Sequence, residues 1–381
     1  MTDLSSPEAA NSYIVATNET INSNGYRFRV NQAGDGIVPD WSDNNYKTNL
    51  AYPAGGNSAA LSGNGVSETL NQNGCVSDMF YYNNYIYFKA TGSEGNAKLT
   101  LTNNGNGVWT WHIWCTDRPS DKSGIGTGST KYTIMDRNLG AIVNGADGNN
   151  EYMSGFYYTY GHYLGFSVDE FRRSDTGGWD MISSYGNTPG KPYLKIGGGL
   201  YQPFRSVSNG YHQSQLSTDV WTKIWVASNG KKTMYDPCPP GYRVMSQAVL
   251  SGYTGSSLSS LDASFFGIEI SCTGGKVFFP YNGRMFRHNK DIDIDKNYSY
   301  TWEENKTGFV AFDLTNIISN YASSLGWQLY LWTASYNTND EANCYYIRRK
   351  GIEGDADVAI NGGIISDKLT YGKGVRCMKN M

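Results

Sequence analysis

The densest run of side chains suited to recognising another molecule follows Trp332. Tyr336, Asn337, Asn339, Asp340, Asn343, Tyr345 and Tyr346 lie within a few residues of one another, and a second polar run from Glu353 to Asn361 adds Asp355, Asp357 and Asn361 before the closing Val375-Arg376-Cys377. Tyrosine supplies broad contact area at little entropic cost, while asparagine, serine and glycine supply adaptable hydrogen bonds, the combination that recognition loops use. The chemistry expected of these positions is reversible binding. A solvated loop between two strands is the plainer account of the same composition, because Asn, Asp and Tyr are common at turns and surfaces. Display is favoured because Trp332 would anchor a strand, Val375 and Cys377 would alternate inward, and the residues between would stand on one rigid support.

Catalytic and metal chemistry find less support. Asp291-Ile292-Asp293-Ile294-Asp295 would project three carboxylates from one face of a strand. A structural calcium is conceivable there, but the glycine and terminal glutamate of an EF-hand loop are missing. A solvated acidic edge balanced by Arg287 and Lys290 fits better. The four histidines (His112, His162, His212, His288) and six cysteines (Cys75, Cys115, Cys238, Cys272, Cys344, Cys377) are scattered, with no CxxC pair, which argues against zinc. No Gly-x-Ser-x-Gly elbow occurs, and no histidine has a triad context. Gly197-Gly198-Gly199 lacks the Lys-Ser/Thr ending of a phosphate loop and reads as a turn. The aromatic run from Phe156 to Tyr163 could stack on sugars but fits a β core better. Neither a cofactor nor an enzymatic activity is expected.

Composition points to strands. Aromatic residues make up 14% of the 381 and charged residues only 17%, with 30 Tyr and 45 Gly, a chain rich in strand and turn formers and poor in helix surface. The net charge of -3 and the lack of any basic cluster beyond Arg348-Arg349-Lys350 exclude nucleic acid as a partner. No apolar run approaches the ~20 residues of a membrane span, and the N-terminus lacks signal-peptide regions.

The elements that must hold the candidate surface follow from alternation. Tyr26-Arg27-Phe28-Arg29-Val30, Tyr85-Ile86-Tyr87-Phe88 and Ala97-Lys98-Leu99-Thr100-Leu101 alternate as half-buried strands do, and Asn104-Gly105-Asn106-Gly107 supplies a hairpin turn into Val108 to Trp114. Trp109, Trp111 and Ile113 share one face of that last run, so His112 falls on the other with Trp114 and is structural. Residues 1–117 are expected to form an immunoglobulin-like β-sandwich, and 118–130, polar and glycine-rich, a linker or loop. Helix is expected only at Leu314 to Ser324 and briefly after Ser246.

Six phrases, in order, carry a resemblance: Ile134 to Ala141 (IMDRNLGA), Gly155-Phe156-Tyr157-Tyr158, Tyr235 to Val244 (YDPCPPGYRV), Val277-Phe278-Phe279-Pro280, Leu331-Trp332-Thr333-Ala334-Ser335 and Gly374-Val375-Arg376-Cys377. Together they resemble the Fibrobacter succinogenes major paralogous domain of Bacteroidales surface proteins. Ala10 to Val15 and Trp109 to Trp114 are similar to the sandwich module that often precedes it. The resemblance implies a C-type lectin-like fold over 131–381, related to that of formylglycine-generating enzymes. It implies an adhesin at the cell surface or pilus tip, with pilus subunits among its partners and a host or neighbouring-cell glycan or protein as ligand. Some members are diversified by retroelements at C-terminal loop codons.

The resemblance also places Cys238 and Cys377 at the family's structural cysteines, the one bridge expected, although six cysteines admit fifteen complete pairings and buried thiols are an alternative. Two departures stand out: Thr159-Tyr160-Gly161 replaces an aromatic-tryptophan-glycine element, and a long insertion runs from Tyr281 to Gln328. The expectation is a mostly β protein with minor α, extracellular, binding through Tyr336 to Asn361. A phage tail receptor-binding protein of the same fold is the alternative, with a virion location. A carbohydrate-active or formylglycine-generating-like enzyme is the more distant one, resting on fold analogy.

Overall fold

The structure, a computed structural model, describes residues 1–165 apart from 9, 31–62 and 146–149. It then describes 222–283 apart from 255–261 and 264–266, and 327–380 apart from 339–340, 351–358 and 370–371. Between these blocks Ser167 and four short strands are described. The expected helix at Leu314 to Ser324 and the acidic run at Asp291 to Asp295 lie outside the described residues.

The protein is mostly β, in several sheets. Its first half holds β1 (Thr2–Asp3), β2 (Ser12–Ala16), β3 (Tyr26–Arg29), β4 (Gly65–Asn71), β5 (Val76–Tyr82), β6 (Tyr85–Ala90), β7 (Gly95–Asn103) and β8 (Asn106–Thr116). They form two four-stranded sheets, ordered β1-β3-β6-β5 and β2-β8-β7-β4. The alternation of β3 and β6 turns Tyr26, Phe28, Ile86 and Phe88 inward. There Phe28 stacks on Tyr13 with centroids 4.6 Å apart and leans on Trp111 at 5.3 Å. Two-residue turns close the β5–β6 and β7–β8 hairpins, Asn83-Asn84 and Asn104-Gly105, all four residues at positive φ. That conformation matches the strands' twist and is tolerated by asparagine and glycine.

The second half holds β9 (Asp121–Ile125), β10 (Tyr132–Met135), a short helix α1 (Asn150–Ser154), β11 (Tyr157–Tyr158), β12 (Leu194–Ile196), β13 (Gly199–Tyr201), β14 (Tyr242–Val244), β15 (Asp262–Ala263), β16 (Gly267–Cys272) and β17 (Gly275–Pro280). Next come β18 (Phe286–Arg287), β19 (Phe309–Val310), β20 (Trp327–Thr338), β21 (Glu341–Lys350), β22 (Ala359–Lys368), β23 (Lys373–Val375) and β24 (Cys377–Lys379). The main sheet is β11-β23-β20-β21-β22, beside β14-β24-β10-β9 and β15-β16-β17. After Ser246 the expected helical piece is a single 3-10 turn, Gln247–Val249.

Two observations bear on the join. The stretch 118–130 contains β9, which pairs with β10, so part of the expected linker is a sheet edge; its polar residues are what an exposed edge strand carries. The halves also share one hydrophobic cluster, running from Tyr13 and Trp111 to Trp332 and Cys377. β8 is buried on both faces because its outer face, with His112 and Trp114, packs against the second half. Trp114 Nε1 donates to Ala141 O at 3.0 Å, Asn96 Nδ2 to Gly140 O at 2.9 Å and Ser12 Oγ to Pro237 O at 2.7 Å.

Candidate functional site

The six ordered phrases assemble into scaffold. Arg376 separates β23 from β24, at the point where the chain leaves one sheet for another. Its buried guanidinium donates to Asn138 Oδ1 (2.9 Å), Met135 O (3.1 Å) and Phe278 O (2.9 Å), tying three of the phrases together, and lies 4.4 Å over the Phe279 ring. Burial pushes its pKa down to about 9, which still leaves it charged at neutral pH. Trp332 Nε1 donates to Tyr158 O at 2.7 Å. A Cβ at Gly374 would collide with the Asn282 amide, and one at Gly155 would come 2.5 Å from Leu139 O.

Cys238 and Cys377 form a disulfide. Asp236, buried beside it, accepts from the amides of Cys238 and Val244, both at 2.8 Å, while burial raises its pKa to about 6. Lys232 donates to Cys238 O and Pro239 O, and burial lowers its pKa.

The main sheet separates two cores, which decides the fate of each candidate side chain. On one face Tyr330, Trp332, Ala342 and Cys344 join the large cluster shared with the first half. On the other Leu329, Leu331, Tyr345 and Ile347 join a second cluster with Val249, Phe279 and Met378. Tyr345 is therefore core, not display: it is 0% exposed, and its hydroxyl donates to Tyr253 O at 2.9 Å. A strand covered on both faces sends successive residues into opposite cores, a condition that local composition does not reveal.

Tyr336 and Tyr346 are half-buried on the side of the large cluster. Tyr336 tilts toward Tyr160 at 6.4 Å, and Tyr346 packs on Tyr330 at 4.9 Å. Tyr160 fills the gap between Trp225 and Trp332 at 4.6 and 5.5 Å. Asn361 is exposed across from Arg348 on β21. Asn339, Asp340, Asp355 and Asp357 lie outside the described residues. The six described positions thus do not form one patch.

What the fold brings together is a polar relay at the Asn337 end of the sheet. A bulge in β20 between Trp332 and Tyr336 lets Thr333 Oγ1 donate to Asn343 O at 2.8 Å. Asn337 Nδ2 donates to Ser366 Oγ (2.5 Å), Ser366 Oγ to Asn343 Oδ1 (3.1 Å), and Asn343 Nδ2 to Gln247 Oε1 (2.6 Å). Asn337, Ser366 and Gln247 are exposed and Asn343 half-exposed. Asn343 and Ser366 are direct cross-strand partners, so their spacing is fixed by the sheet. At its ends the relay leaves Asn337 Oδ1, an acceptor, and Gln247 Nε2, a donor, without hydrogen bonds to described residues. Ser366 and Gln247 are lone polar residues in unremarkable sequence, and only the β21–β22 register and the 3-10 turn bring them here.

Two other groups singled out in the sequence are buried. His112 is buried between Ser12 Oγ (3.0 Å) and Asn96 Oδ1 (2.8 Å), and burial, with Lys98 nearby, lowers its pKa to about 3. The aromatic run from Phe156 to Tyr163 is buried, as its core reading requires. Among the described residues no cluster of three or more His, Cys, Asp or Glu is placed to hold a metal, and no helix is long and apolar enough to cross a membrane. Compared with models of protein families, with curated proteins and with solved structures, the chain matches none.

Proposed function

We propose that the protein is an extracellular adhesin or receptor-binding protein whose second half is a C-type lectin-like domain, binding a glycan or protein of a host or neighbouring cell without chemistry. The observation that carries this reading is the relay Asn337–Ser366–Asn343–Gln247. It is exposed and ends in an open acceptor and an open donor, and it stands on strands locked between two cores. Fixed hydrogen-bonding groups on a rigid support lose little entropy on binding. The Cys238–Cys377 disulfide supports a compartment that is oxidising.

The test is a variant with Asn337, Ser366 and Asn343 each changed to Ala, compared with the parent for adhesion of protein-coated beads to intact host and bacterial cells. The variant is expected to keep its near-ultraviolet circular dichroism and lose adhesion. Equal adhesion by both proteins would sink the assignment of the site.

A further inference from the structure

Among the described residues large apolar side chains stand exposed at only three places, Met1, Phe80 (52%) and Tyr82 (68%), and two of them share the edge strand β5. The register of β3, β6 and β5 lines up two parallel rows on the outer face of that sheet. Phe80, Tyr87 and Arg27 make one, and Tyr82, Tyr85 and Arg29 the other. The Phe80 and Tyr87 rings stack 4.7 Å apart and nearly parallel at 4°. The Arg27 guanidinium sits 4.5 Å over Tyr85. Tyr87 thus covers one face of Phe80, and the edge position leaves the other open. Both rows lie opposite the face that forms the sandwich core.

The charges on this face are unevenly matched. Arg27 pairs with Asp3 at 2.9 Å and Lys89 with Asp78 at 2.8 Å, whereas Arg29 is exposed and has no acidic partner among the described residues. The two rows contain aromatic rings, phenol hydroxyls and guanidinium groups but no aliphatic side chain. A pyranose ring complements such a surface, since its C–H face packs on an aromatic ring while its hydroxyl rim reaches polar groups at the ring's edge. The unpaired guanidinium calls for a planar anion, and a carboxylate accepts its paired donors.

We propose that the outer face of the β1-β3-β6-β5 sheet is a second binding site, for a carboxylated saccharide whose ring packs on Phe80 and Tyr82 and whose carboxylate pairs with Arg29. The test uses the full chain on an array of uronic- and sialic-acid oligosaccharides, each beside a neutral counterpart. Wild type is compared with Phe80→Ala/Tyr82→Ala and Arg29→Gln. Wild type should bind at least one acidic member in preference to its counterpart. The double variant should bind about tenfold more weakly, and Arg29→Gln should lose the preference for acid while keeping the residual neutral binding.

Because all three side chains are exposed, each variant should match wild type in circular dichroism. Retention of no acidic member, retention unchanged in the double variant, or an intact acid preference in Arg29→Gln would each overturn the proposal. So would sedimentation showing self-association through this face that the double variant abolishes, with no glycan bound. The relay variant of the second half should keep the preference for acid that Arg29→Gln loses, so the two sites fail independently.

Discussion

Tyr345 and Asn337 lie eight residues apart in one polar, tyrosine-rich stretch, and the structure predicts opposite consequences for replacing them. Tyr345 is fully buried in the cluster with Ile347, Leu329 and Leu331, so Tyr345→Ala removes an aromatic ring from a packed core at about 3–5 kcal/mol. Tyr345→Phe keeps the ring but strands Tyr253 O, which now accepts the hydroxyl, at about 1 kcal/mol. Asn337→Ala removes an exposed amide with one hydrogen bond to an exposed serine and should change stability by no more than about 0.5 kcal/mol. Urea unfolding followed by tryptophan fluorescence measures all three. If Tyr345→Ala costs less than about 1 kcal/mol, or Asn337→Ala costs as much as Tyr345→Ala, the division of this stretch into core and display is wrong.

Arg376→Ala leaves Asn138 Oδ1, Met135 O and Phe278 O without the donor they share, and should destabilise by about 3–5 kcal/mol in the same assay, with Arg376→Lys recovering part of the loss. The Cys238–Cys377 bridge closes a loop of sequence separation 139, so the double alanine variant should lose up to about 5 kcal/mol, read as a lower urea midpoint. His112 and Asp236 should give pH trends of opposite sign. His112 has a folded pKa of about 3, below its unfolded value near 6.5. Its contribution is complete above pH 6.5 and falls by about 1.4 kcal/mol per unit as the pH drops toward 3. Asp236 has a folded pKa of about 6, above its unfolded value near 3.8, so its contribution is greatest below pH 3.8 and is lost as the pH rises through 6. The two slopes oppose each other between these limits. The stability differences from His112→Gln and Asp236→Asn, measured across pH 3.5–7, should therefore diverge in opposite directions, and parallel lines would refute the assignment.

How much of this was legible in the sequence depends on the range of the interaction concerned. Strands of the first half could be read because their alternation and their turns are local: Phe28 and Phe88 face inward for the same reason that Asn104-Gly105 reverses the chain. The phrases around Met135, Phe278 and Arg376 could be picked out as an ordered set, but their common purpose is a single guanidinium bonded to positions 241, 238 and 98 residues away. Spacing along the chain carries no trace of that. The candidate site was legible as a composition and illegible as a surface. Asn337 and Asn343 reach one relay because the register sets Asn343 against Ser366 and the 3-10 turn brings up Gln247, whereas Tyr345 points into a core that exists only once β17, β20 and β21 have packed. The same logic applies at the other end of the molecule. Phe80, Tyr82 and Arg29 are unremarkable within their own strands, and only the pairing of β3, β6 and β5 gathers them on one face. Recognition surfaces on a sheet are properties of register, so cross-strand pairs are where their residues are to be sought.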